Sequence, residues 1–153
     1  MIRDCLPTPP FLLTDPIIKI NRIMPSLFTR IVRGEIPAYR VAEEDQYLAF
    51  LDINPLARGH TLVIPKQEVD NLFDLDDTSY AGLWAFAKKV ALAIQDTMPC
   101  KRVGVAVVGL EVPHAHIHLI PINDLYDIDF SQPKLSLSQE EFADIARRIA
   151  GAL

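Results

Sequence analysis

Three of the chain's four histidines, His114, His116 and His118, stand at alternate positions within Val112-Pro113-His114-Ala115-His116-Ile117-His118-Leu119-Ile120-Pro121. Between the two prolines every residue that is not histidine is apolar, which predicts a strand. Side chains alternate across a strand, so the three imidazoles share one face while Ala115, Ile117 and Leu119 face a core. Three polar rings in a row are costly to hold for packing alone. Neutral imidazole can act as a nucleophile, as a general acid or base, or as a metal ligand. Three readings compete: His116 attacks an electrophile that its neighbours position, the three rings help to chelate zinc or another transition metal, or they hydrogen-bond a partner chain. Spacing helps to separate them. Alternate positions lie ~6.6 Å apart and the row spans ~13 Å, so two rings could share an ion, but the row fits an extended substrate better. A metal would also want a carboxylate or cysteine from elsewhere, and Glu111 is a candidate that the spacing does not demand.

The elements that must carry this row follow from the remaining pattern. The length of 153 residues suits one domain, and a hydrophobic fraction of 50% is ample for a core. A net charge of −5 offers no basic surface to nucleic acid or to an anionic membrane, though local amides and histidines can still take a small anion. Cys5 and Cys100 show no metal-type spacing, and with no secretory signal pattern they point to a reducing, cytosolic setting. No apolar run approaches the roughly 18 residues that span a bilayer. Residues 1–24 hold four prolines and no usable period, so we expect a poorly ordered N-terminal extension, with Met24 the candidate true start and a domain over 25–153.

Ser26 is a good N-cap for a short helix ended by Gly34. Strands are expected at Tyr39 to Glu43, Tyr47 to Leu51 and His60 to Pro65, as an antiparallel meander. A long helix from Thr78 to Thr97 carries an apolar stripe that includes Trp84, read as core. A fourth strand runs from Lys101 to Val108, and the histidine strand is the fifth. Ser138 with Glu141 three residues on opens a C-terminal helix. The class is α+β: a five-stranded, mainly antiparallel sheet with one short helix, one long helix and the C-terminal helix.

The segment His114 to Ile120 resembles the signature of the histidine triad (HIT) family, His-φ-His-φ-His-φ-φ with φ apolar. The resemblance extends upstream through Ser26-Leu27-Phe28, Gly34-Glu35-Ile36-Pro37, Ala49 to Pro55 and Gly59 to Lys66, and so covers roughly Pro25 to Pro121. It implies a dimeric nucleotide hydrolase or transferase acting at the α-phosphate, with no metal and no cofactor. His116 would form a covalent nucleotidyl phosphoramidate that water then hydrolyses. His118 would touch the phosphate, and the main-chain carbonyl of His114 would orient His116. His60 corresponds to a supporting histidine, and Asp52 to a ribose-binding acid. Phe28, Ile31, Phe50 and Ile53 would wall the base of a purine mononucleotide-type ligand. Taken singly, these apolar residues read as packing and Asp52 as a turn former; the joint pattern raises them.

The chain departs from the family on the phosphate side. Val103 stands where many members carry Asn or Gln, Gly109-Leu110 replaces a Gly-Gln pair, and Glu111 takes a position often held by Ser, Thr or Val. Ile122 and Asn123 follow the triad where an arginine is often found. Glu111 is kept as a nucleotide-site candidate, although a carboxylate there repels an anion unless it meets a cation. Two other functions stay in view: a nucleotide- or protein-binding module with little turnover, and a metal-assisted hydrolase using the triad with Glu111.

Overall fold

The computed structural model describes residues 24–153, so the expectation of an N-terminal extension lies almost wholly outside the described residues. Helix α1 (Leu27–Val32) is followed by β1 (Arg40–Glu43), β2 (Tyr47–Leu51), β3 (Thr61–Pro65), the long α2 (Asp77–Thr97), β4 (Arg102–Ala106), β5 (Ile117–Ile122) and α3 (Gln139–Ala150). The sheet order is β1-β2-β3-β5-β4 and every pairing is antiparallel. The meander is therefore real, and β5 inserts between β3 and β4.

Both faces of the central strands are covered, which is why β2 and β3 are buried at every position. Ala49, Leu51, Val63, Ile117 and Leu119 face α2 and α3 in the main core, joined by Ala115. Leu48, Phe50, Leu62 and Ile64 face the other way and pack on Phe28 and Ile31 of α1. The period-two alternation thus sorts one sheet into a structural face and a face that carries the histidines. Helix α2 approaches the sheet closely because Gly82 has no Cβ: one built there would stand 2.1 Å from the Tyr47 hydroxyl, which donates to the Ser79 carbonyl at 3.2 Å.

The fifth strand is shorter than the sequence predicts. It begins at Ile117, so only His118 of the triad is a strand residue. Pro113 has no N–H to give to a ladder, and the Ala115 N–H donates to Val69 O at 2.7 Å, away from the sheet. The carbonyl that β3 offers at Pro65 is taken by the His114 ring instead of by a strand. The fourth strand likewise spans Arg102–Ala106, not Lys101 to Val108.

Candidate active site

Although two of the three histidines precede the strand, the rings form a continuous row. Ring centroids are 4.8 Å apart from His116 to His118 and 5.2 Å from His118 to His60, while Phe28 stands edge-on to both His114 and His116. Residues 114–116 lie outside the strand, and the His116 and His118 rings stand closer than the ~6.6 Å strand spacing. His60 comes from the residue before β3, where Gly59 at φ 93° makes the turn that side chains rarely adopt. In the sheet Leu62 lies opposite His118, so His60 reaches the same face diagonally.

The partners assign the tautomers. The Leu56 N–H donates to His60 Nδ1 at 3.1 Å, so the His60 proton is on Nε2, which donates to His118 Nδ1 at 3.0 Å. His118 therefore carries its own proton on Nε2. His116 Nδ1–H donates to the His114 carbonyl at 2.7 Å, which leaves the lone pair on Nε2. His114 Nε2–H donates to Pro65 O at 2.8 Å, and its Nδ1 accepts from the Ser26 hydroxyl at 2.8 Å. Burial holds three of these rings neutral, pushing His60 down to about 3, His118 down to about 4 and His114 below the ordinary imidazole value.

His114 is wholly buried, so its ring touches no ligand space. Its surroundings are polar: Ser26 and Thr29 hydroxyls lie against it, Thr29 donates to the Glu68 carboxylate, and the Ser26 N–H donates to Glu68 Oε2 at 3.0 Å. These bonds hold the Glu68 pKa below the usual carboxylate range. Ser26 is also the N-cap of α1, accepting from the Thr29 N–H at 3.0 Å. One residue therefore ties the start of α1 to the segment that aims His116.

Two adjoining cavities open onto His116 and His118. The smaller, about 190 Å³, has Phe28, Ile31, Phe50 and Ile53 in its wall, with Asp52 at its edge. Phe28, Ile31 and Phe50 are buried in the second core, whereas Ile53 is 64% exposed and forms the rim. Asp52 accepts from the Asn54 N–H at 2.8 Å, and burial raises its pKa. Glu111 is exposed and borders both cavities. The larger, about 340 Å³, is bounded by Val108 to Glu111 on one side and by Phe130 and Lys134 on the other. The pair together has the size of a small-molecule site. Val103, by contrast, packs against the main core opposite Pro121.

Sequence reasoning missed Asn54, Phe130 and Lys134. Phe130 stands edge-on to His118 at 4.9 Å, and the Lys134 ammonium lies 5.5 Å from the Phe130 ring centre. Phe130 and Lys134 lie between β5 and α3 in a connection that also carries Leu125, Tyr126, Ile128, Leu135 and Leu137, so residue type alone singles out neither of them. The metal grouping weighed as an alternative, the triad with Glu111, is not what the fold assembles. Among the described residues the ligand atoms that converge, within 4.8 Å of one another, belong to Asp52, His60 and His118. No helix among those residues is long and apolar enough to cross a membrane.

The family model for the HIT domain matches residues 33–125, leaving Ser26, Phe28, Ile31, Phe130 and Lys134 outside the match. An uncharacterized HIT-like protein of Borreliella burgdorferi is 36% identical over 133 residues, covering 81% of this chain and 95% of that one. The adenosine 5'-monophosphoramidase of Schizosaccharomyces pombe is 34% identical over 132 residues, covering 85% and 99%. Among solved structures, a HIT-like protein from Bartonella henselae matches with a TM-score of 0.73 at 32% identity, covering 84% of this chain and 96% of that one. A zinc-bound histidine triad family protein from Mycobacterium smegmatis matches with a TM-score of 0.68 at 28% identity, covering 82% and 90%.

Proposed function

The chain belongs to the HIT domain family, and from that premise we propose that it cleaves nucleoside phosphoramidates or related mononucleotide conjugates at the α-phosphorus. One observation carries the reading: the 2.7 Å bond from His116 Nδ1–H to the His114 carbonyl, which leaves Nε2 as the basic nitrogen of a residue lining both cavities. Held so, the imidazole can attack without first losing a proton. A bond forms between Nε2 and phosphorus, the phosphorus–nitrogen bond of the substrate breaks, and the amine leaves with a proton taken from water. Water then attacks phosphorus, the Nε2–phosphorus bond breaks, the proton the water gives up neutralises the hydroxide left by the first step, and the mononucleotide departs. His118, neutral and protonated on Nε2, offers a donor to a phosphoryl oxygen.

The base would lie in the smaller cavity against Phe28, Ile31, Phe50 and Ile53, with the second carboxylate oxygen of Asp52 accepting from ribose hydroxyls. Glu111, at the mouth, would face the leaving group. We further propose a homodimer formed through β4. That strand ends the sheet, and Val105, Val107, Val108 and Leu110 in and after it are exposed. A metal-assisted route is the second reading, favoured by the convergence of Asp52, His60 and His118.

Hydrolysis of adenosine 5'-phosphoramidate, with and without a chelator, by the wild type and His116→Ala tests both. Activity that survives chelation and is lost in His116→Ala supports the covalent route. Activity lost to the chelator moves the chemistry to the metal reading. Binding without turnover would make the domain a nucleotide-binding module.

A further inference from the structure

A phosphoryl group brings negative charge into a site that is itself short of positive charge. Asp52 and Glu111 border the cavities as carboxyl groups, and the geometry makes His60, His114 and His118 single-proton, uncharged rings. Among the residues lining either cavity, the one lysine or arginine is Lys134. We propose that Lys134 is the residue that neutralises the phosphoryl group of a nucleotide bound at His116; the proposal rests on the nucleotide reading above.

The local structure is built to hold that ammonium over the site. The Asp129 carboxylate accepts from the Ser131 N–H at 2.9 Å, the Ser131 hydroxyl at 2.7 Å and the Gln132 amide at 3.1 Å, folding the chain back on itself. That fold sets the Phe130 ring against His118 and brings the Phe130 carbonyl to 2.7 Å from Lys134 Nζ, which donates to it. One residue further on, the Leu135 N–H donates to Pro55 O at 2.8 Å, fixing the segment to the loop that carries Asp52. A lysine free to wander would not need these restraints. Among the described residues no carboxylate forms an ion pair with it. Lys134 Nζ has three donors and spends one on the Phe130 carbonyl, so two remain for phosphoryl oxygens. Its charge is felt at Asp52, His60 and His118 around the cavity, and at the Asp129 carboxylate of its own turn.

The test compares binding of AMP and adenosine, which differ by the phosphate, to the full chain as wild type, Lys134→Ala and Lys134→Arg. Lys134→Ala is expected to weaken AMP by about tenfold, the effect of one charge-assisted contact at an exposed group, and to leave adenosine unchanged. Lys134→Arg should restore most of the difference, and rising ionic strength should erode the wild-type preference more than that of Lys134→Ala. A wild type that prefers AMP to adenosine, with the preference undiminished in Lys134→Ala, would overturn the assignment while leaving the nucleotide reading intact. Equal losses for both ligands would overturn it too, by making Lys134 a purely structural residue. A wild type that binds neither would overturn the nucleotide reading and the assignment with it.

Discussion

Mild acid should destabilise this domain steeply, because burial holds His60 and His118 neutral in a hydrogen-bonded pair. In the unfolded chain a histidine titrates near about 6.5, whereas the folded pair is held down to about 3 and about 4. Between those limits the unfolded state binds protons that the folded state refuses, so stability rises with pH and is lost as pH falls below the unfolded value. One pH unit below that value, each such group has removed about 1.4 kcal/mol, so moving from about pH 7.5 to about pH 5.5 costs about 3 kcal/mol for the pair. For a domain of this size that lowers the Tm by about 10 °C. The buried His114 acts in the same direction. Asp52, raised by burial, acts in the opposite one and softens the fall at the acid end of the range. Denaturant unfolding and thermal scans across the window, on wild type and His60→Gln, supply the measurement. Gln cannot take the proton, so about half of the pair's slope should vanish in that variant. A flat Tm across the window, or the full slope surviving in His60→Gln, would refute the argument that these two rings are buried neutral.

Two further outcomes follow from the geometry. Ser26→Ala removes the donor to His114 Nδ1 and the N-cap of α1 together, so it should cost about 1–3 kcal/mol of stability in denaturant unfolding and slow phosphoramidate turnover; Ser26→Thr, which keeps the hydroxyl, should recover both. If β4 is the dimer edge, Val105→Lys should shift sedimentation from a dimer to a monomer while the circular dichroism of the fold is kept, because the substitution puts a charge on an exposed strand position.

Much of this molecule is legible one segment at a time. The strands of the meander read correctly because their apolar residues are contiguous and their ends are marked by Pro65, Gly59 and the acidic turn after β1. The capping box at Ser138 and Glu141 places α3 because its bonds join residues three apart in sequence. Period alone misread the histidine strand. Alternation from His114 onward describes an extended chain, but a strand also needs a partner for each backbone group; Pro113 has no N–H to give, and His114, Ala115 and Pro65 commit their groups elsewhere. The three rings still line up because side-chain and irregular backbone bonds do the work that a ladder was expected to do.

The residues that the sequence hid share one property: their partners are far away along the chain. Ser26 reads correctly as a cap, because the hydroxyl oxygen accepts from a residue three positions on. The same hydroxyl's proton goes to His114, 88 residues away, and no local pattern encodes that second bond. Lys134 stands in a connection of mixed composition with no usable period, where a charged residue is by default a solvated one. What distinguishes it is the turn made by Asp129 and the tie from Leu135 to Pro55, both visible only once the chain is folded. The orientation of the His116 ring is a local matter, because the ring and the carbonyl that accepts from its Nδ1–H lie two residues apart. Charge balance in the same site is not, since it is a sum over elements that only the tertiary fold brings to one cavity.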